Sequence, residues 1–173
     1  MKDPFFDEEN GILVNKWGLK DPEQLQRRET YHSANRMDDL PKVRLTFTGY
    51  KNLHRHIFQD VYPWAGRIRR TPLAKVTERG VVAFLPPRLI EPNLRRVFRE
   101  LGEGKALKEL SADRFAEKAA HVIDEVNVIH AFREGNGRTQ RALLLRMGQE
   151  AGYRIDLTRI TGEDWMNASI ASR

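Results

Sequence analysis

The segment His130 to Arg141 reads His-Ala-Phe-Arg-Glu-Gly-Asn-Gly-Arg-Thr-Gln-Arg and lies between two apolar-periodic segments, Phe115–Ile129 and Ala142–Met147. Two helical patterns joined by a turn this rich in Gly and Asn require a loop that ends by starting a helix. The first backbone N–H groups of such a helix lack intrahelical acceptors and carry the positive end of its dipole. Gly135 and Gly137 allow backbone to approach an anion without a side chain in the way. Arg138 falls in the first turn and Arg141, three residues on, shares its face. Two guanidiniums aimed at one anion point to a polyphosphate.

Glu134 fits beside phosphates only if a cation stands between them. Mg²⁺ is commonly held by one or two carboxylates plus substrate phosphate oxygens, so a single Glu suffices. His130 is the one group in this stretch able to accept a proton near neutral pH. The chemistry implied is attack by a hydroxyl on a Mg²⁺-bound nucleotide phosphate, with His130 as base.

The stretch resembles the signature of the Fic family, His-x-Phe-x-(Asp/Glu)-Gly-Asn-Gly-Arg-x-x-Arg, at every specified position. Most members carry Pro after the His, where this chain has Ala131; the ring would stiffen the loop. A second stretch also resembles the family: His54-x-x-Ile57-Phe58-x-Asp60-Val61-Tyr62-x-Trp64-Ala65-Gly66. The likeness runs from about Leu13 to Ser169. It implies an all-α fold, a helical bundle with a small β-hairpin flap over about 67–85, and a single domain spanning 1–173. It also implies transfer of AMP from ATP to a Tyr, Thr or Ser hydroxyl of a target protein. On that resemblance His130 is catalytic, Glu134 helps hold Mg²⁺, and Gly135, Asn136 and Gly137 cradle the α-phosphate. Arg138 and Arg141 take the distal phosphates, while Phe132 packs the loop into the core.

Composition agrees with an acidic ligand. The net charge is +6 and the isoelectric point near 9.8, which favours nucleotides or acidic protein surfaces. No nucleic-acid motif accompanies the charge, so direct nucleic-acid binding is not expected. No apolar run approaches the ~20 residues of a membrane span, and Met1-Lys2-Asp3-Pro4 opens without a signal-peptide core. The absence of Cys suits a cytoplasmic protein. Translocation into another cell is the alternative.

Along the chain, Ile12–Gly18 reads as a lead-in, with Phe5, Leu13 and Trp17 as packing residues. Asp21-Pro22-Glu23-Gln24 starts a helix expected to reach about Arg36. Thr48 or Gly49 opens a second, with Tyr50, Leu53, Ile57, Phe58 and Val61 at helical spacing. His54 and His56, two apart, point to different faces and make a poor metal pair, so core or surface roles are expected. Arg67–Arg70 and Val81–Leu85 read as short strands around Thr77-Glu78-Arg79-Gly80. The resemblance makes this hairpin a flap that holds a target segment by strand addition, with Lys75, Thr77 and Phe84 as docking candidates. Pro87–Leu101 is a third helix, and Gly102-Glu103-Gly104-Lys105 a turn with the wrong spacing for a P-loop. Ser111 caps a long helix that delivers His130, with His121 in its middle as a core or surface residue. Asn127, one turn before His130, is a candidate to orient the loop. Arg138–Ala151 then forms a helix capped by Gly152. Thr161-Gly162-Glu163-Asp164 begins a last helix whose Trp165 packs on the bundle, and the chain is expected to be a piece of something longer.

Many Fic proteins contain, or pair with, an inhibitory helix reading (Ser/Thr)-x-x-x-Glu-(Gly/Asn). The Glu-Gly and Glu-Asn pairs here, at Glu9, Glu103 and Glu134, lack Ser or Thr four residues earlier. The expectation is therefore a toxin restrained by an antitoxin-like partner whose Glu would reach Arg141. Type II topoisomerases are one target class; small GTPases are the other, if the chain is a host-directed effector. Rival readings are a Fic-fold enzyme transferring another nucleotide or a phosphate group, and a non-catalytic basic binding module.

Overall fold

The computed structural model describes residues 2–77, 80–161 and 164–165. The expected fold class holds: helices dominate, and the strands described form two small antiparallel hairpins. The first hairpin pairs β1 (Phe6–Asp7) with β2 (Ile12–Leu13), and only β2 falls in the stretch Ile12–Gly18 expected to be a lead-in. It is held by partners distant in sequence: Val14 donates to Phe5 O at 3.0 Å, and Trp64 Nε1 donates to Val14 O at 2.8 Å. A hairpin this short gains little from its own ladder, so burial of Phe5 and Ile12 in the core supplies what its pairing cannot.

Helix α1 runs Pro22–Asp38, two residues past the expected end. Its cap is Asp21, whose carboxylate accepts from the Glu23 and Gln24 amides and from the Gln24 side chain. The buried stripe of α1 is Leu25, Glu29 and Ser33, at i, i+4 and i+8. Two of those three are polar, where a bundle helix normally buries aliphatic residues. Helix α2, Phe47–Phe58, begins earlier than expected. Thr46 is its cap and accepts from Gly49 N–H at 3.0 Å. Val61 was expected on this helix; it falls in the turn that follows, though fully buried.

The second hairpin corrects the expected strand positions. Arg67–Arg70 is not a strand; β3 is Ala74–Thr77 and β4 is Gly80–Ala83, with Lys75 opposite Val82 and Val76 opposite Val81. An alternating strand at 67–70 would bury Ile68 and expose Arg69; instead the segment is irregular, Ile68 is half-buried and Arg69 turns inward. Helix α3 (Pro87–Glu100) and helix α4 (Ala112–Ile129) follow as expected, and between them the expected turn at Gly102–Lys105 is part of a 3₁₀ segment, Gly102–Leu107. Helix α5 spans Asn136–Ala151, starting two residues before the expected Arg138, with Gly152 as its left-handed C-cap.

Helix α2 packs against α1, α3 and α5, and α4 against α3 and α5. Their shared core includes Leu53, Ile57, Leu94, Phe98, Val122, Val126 and Leu143. An aromatic column crosses it towards the 130–136 loop. Phe5 and Tyr62 stack on Trp64 at 5.1 and 4.2 Å, and His54 stacks on Phe132 at 3.8 Å. Thr161 and Asp164 cap each other reciprocally, as their spacing suggests. The rest of that expected last helix lies outside the described residues.

Candidate active site

His130 ends α4 in the left-handed conformation, φ 46° and ψ 64°, with its N–H donating to Val126 O at 3.0 Å. Such a backbone is uncommon for a residue with a side chain and marks a position that its surroundings must hold. The imidazole stacks on Phe84 of the flap, centroids 3.6 Å apart and planes 15° from parallel. Phe84, one of the docking candidates, lays its ring over the face of His130. Lys75 lies on the exposed part of β3, and Thr77 stands opposite Gly80 at the hairpin turn. The large side chains the flap presents outward are Val76 and Val81, 80% and 71% exposed. That pair escaped the sequence analysis because alternation in so short a run does not say which face meets solvent.

Gly135 is the N-cap of α5 at φ 79°, and a Cβ there would lie 2.2 Å from the Phe58 ring. Asn136 is buried, its side chain accepting from Phe132 N–H at 2.9 Å and donating to Phe132 O at 2.8 Å. It therefore clasps the loop with its amide, leaving its backbone N–H to the first turn of α5. Gly137 stands apart from its neighbour: a Cβ there would come no closer than 3.8 Å to anything, the nearest atom being Trp165 Nε1. Ala131 is fully buried and accepts the Arg69 N–H at 3.0 Å, so the loop is anchored through its backbone where Pro is absent.

Glu134 presents its carboxylate at the loop's edge, 45% exposed, accepting from Gly135 N–H at 2.7 Å and lying 3.6 Å from Arg138. Its own carbonyl is held by His54 Nε2 at 3.0 Å, while His54 Nδ1 accepts from Gly66 N–H at 2.8 Å. These partners require a neutral imidazole protonated on Nε2. Burial, opposed by the bond to Glu134, pushes the His54 pKa down to about 3. The core role expected for His54 thus extends to holding the loop. Being neutral in the fold but protonated below about 6.5 when unfolded, His54 lets the unfolded chain bind the extra proton. Stability should therefore fall by about 1.4 kcal/mol per pH unit below 6.5, or ~2 kcal/mol by pH 5. Urea midpoints at pH 7 and 5 check this. A His54→Gln variant as acid-sensitive as the parent would count against the assignment.

Arg138 meets partners that its sequence neighbourhood does not reveal. It donates to Ser33 Oγ at 2.8 Å, pairs with Glu29, and lies 4.6 Å over the Phe58 ring. Tyr62 Oη donates to the same Glu29, and burial, then that carboxylate, keep the Tyr62 phenol protonated well above its usual range. The polar stripe of α1 is explained: Glu29 and Ser33 aim the first guanidinium of the motif. Two polar residues at i and i+4 on an otherwise buried face were the legible signal. Arg141 lies over the Trp165 ring at 5.4 Å, and its Nε is buried without a hydrogen-bond partner. Burial, then the neighbouring Arg138, lower its pKa. Both arginines line a cavity of about 400 Å³ between α1, α5, Leu157, Ile160 and Trp165. Arg138 also borders a second cavity of about 450 Å³, with Glu29, Tyr62 and Glu134. Asn127 packs against α5, where it accepts from Gln140 at 3.5 Å. Among the described residues no cluster of three or more metal-ligating side chains occurs, and no helix is long and apolar enough to cross a membrane.

The family model described as Fic/DOC matches residues 44–147. The chain is 33% identical to the protein adenylyltransferase VbhT of Bartonella schoenbuchensis, over 98% of its own length but only 36% of that protein's. It is 36% identical to the probable protein adenylyltransferase y4lH of Sinorhizobium fredii, over 99% of its length and 88% of that relative's. Among solved structures it is similar to the N-terminal Fic domain of a VirB-translocated effector from Bartonella quintana with bound ADP. That match has a TM-score of 0.84 and 30% identity, covering 97% of this chain and 86% of that one. BepC from Bartonella tribocorum with bound AMPPNP superposes with a TM-score of 0.83 at 27% identity, covering 97% and 87%. With the signature loop, its helix and the flap in one arrangement, the chain belongs to the Fic/DOC family and is a relative of its protein adenylyltransferases.

Proposed function

We propose that this domain transfers AMP from ATP to a Tyr, Thr or Ser hydroxyl of a target protein. The observation that carries the reading is Gly137. The described residues give no steric reason for glycine there, since a Cβ would make only an ordinary van der Waals contact with Trp165, at 3.8 Å. A phosphate seated on the first-turn N–H groups of α5 does give one. In this mechanism His130 takes the proton of the target hydroxyl. The hydroxyl oxygen forms a bond to the α-phosphorus as the bond to the bridging oxygen breaks, and pyrophosphate leaves in line. The amides of Asn136, Gly137 and Arg138 face the charge that develops on the α-phosphate. Arg138 and Arg141 bind the distal phosphates.

The donor set also fits Mg²⁺. One half-exposed carboxylate, Glu134, beside a polyphosphate site is what a Mg²⁺-nucleotide requires. Once bound, the ion would neutralise phosphate charge.

The reading extends to partners and place of action. An antitoxin-like protein is proposed to restrain the domain in trans, its helix seated in the 400 Å³ cavity with a Glu on Arg141. The buried Nε of Arg141 supports this, because a carboxylate there would satisfy it. The proposed target is a cytoplasmic type II topoisomerase. A small GTPase is the second reading, favoured by the likeness to VirB-translocated effectors.

The isolated chain, given Mg²⁺ and lysate, should move label from α-labelled ATP to protein and none from γ-labelled ATP. Label arriving from the γ-position would replace AMP transfer with kinase chemistry. An isolated chain that binds nucleotide yet stays inert would count against restraint in trans.

A further inference from the structure

Burying a guanidinium is costly unless its donors find acceptors and its charge finds compensation. Arg69 is 1% exposed, and among the described residues its partners are backbone carbonyls rather than carboxylates. Its Nε donates to His130 O at 2.7 Å, Nη1 to Thr71 O at 2.9 Å, and Nη2 to Ile129 O at 3.3 Å and to Leu85 O. Ile129 and His130 close α4, where carbonyls lack intrahelical donors and the helix dipole leaves its negative end. Thr71 and Leu85 lie on the segments that enter and leave the β3–β4 hairpin. One cation therefore joins the end of the helix that presents His130 to both roots of the flap.

Three further links converge on this junction. Arg69 N–H donates to Ala131 O at 3.0 Å, Leu85 N–H to Val128 O at 3.4 Å, and the Phe84 ring stacks on His130 at 3.6 Å. His130 holds a left-handed backbone at φ 46°, which a residue with a side chain keeps only when its surroundings impose it. Burial lowers the Arg69 pKa to about 10, so the group stays charged at neutral pH. A lysine would keep the charge, but a single ammonium cannot reproduce a planar fork spanning four carbonyls.

We propose that Arg69 is a positioning residue that binds the flap and His130 into one mechanical unit, so that a target strand held on the flap meets a correctly turned imidazole. The proposal rests on the adenylyl-transfer reading above for its functional meaning, though not for its structural content. Amide hydrogen exchange on the nucleotide-free chain tests it directly. In Arg69→Lys, the amides of Phe84, Leu85 and His130 should exchange about tenfold faster and in step, the effect of losing one charge-assisted bond. Amides of α1 and α3 should change by less than about twofold.

Faster exchange at the flap alone, at His130 alone, or equally throughout the helices would overturn the coupling. If the lysine variant does not fold, the wild type still decides: those three amides should share one opening rate, and independent rates would sink the proposal. In transfer assays Arg69→Lys should lower kcat about tenfold with KM for Mg-ATP within about twofold; the reverse split would overturn the positioning role. A wild type that neither binds Mg-ATP nor transfers label would instead defeat the functional reading, while the exchange data still decide the coupling.

Discussion

Replacing His130 with Ala is expected to lower AMP transfer by about 10²–10⁴-fold, the usual contribution of a positioned general base. Mg-ATP affinity should stay within about twofold, because the proposed phosphate contacts come from the start of α5 and its two arginines. The left-handed backbone at this position complicates a simple truncation, since Ala tolerates φ 46° less readily than a residue that can bond to its own backbone. His130→Asn is therefore the better control, as Asn adopts that conformation with less strain but cannot take the proton. Both variants should fold, bind nucleotide by calorimetry and fail to label target. A variant with near-normal turnover would remove His130 as the base.

Gly135→Ala and Gly137→Ala should behave as opposites although they lie two residues apart. At Gly135 a methyl would stand 2.2 Å from the Phe58 ring on a backbone at φ 79°. Overpacking and left-handed strain together should cost about 3 kcal/mol of stability, read from denaturant midpoints. At Gly137 the methyl meets only an ordinary van der Waals contact with Trp165 at 3.8 Å, so stability should hold or rise slightly from the gain in helix propensity. Its cost should fall on the ligand, with Mg-ATP affinity down by about tenfold or more as the methyl intrudes on the phosphate. Equal affinities for Gly137→Ala and the parent would remove the phosphate from the first turn of α5.

Much of the architecture was legible because its signals are local. Asp21, Ser111 and Gly152 mark helix ends through bonds to residues a few positions away. The apolar spacing of α2, α3 and α4 follows the helical period directly. Where the reading slipped, local pattern and tertiary burial conflicted. Arg67–Arg70 reads like a short strand, but Arg69 is drawn inward to carbonyls up to 61 residues away, which no local pattern shows. The start of α2 was displaced because Thr46, Thr48 and Gly49 are all plausible caps, and the bond from Gly49 N–H chose among them. The N-terminal hairpin escaped because two-residue strands carry almost no periodicity.

The sequence by itself determined the chemistry-bearing loop: a base, a carboxylate, a glycine-bounded helix start and two arginines within twelve positions. Their order on the chain dictates their order in space, because a helix terminus is built from consecutive backbone. Only the tertiary structure decided what orients those groups. Glu29 and Ser33 reach Arg138 from 109 and 105 residues away, His54 holds the Glu134 carbonyl, and Arg69 holds the His130 carbonyl. The reason is physical: a buried polar group must find a partner, and which one it finds depends on which helix faces are brought together.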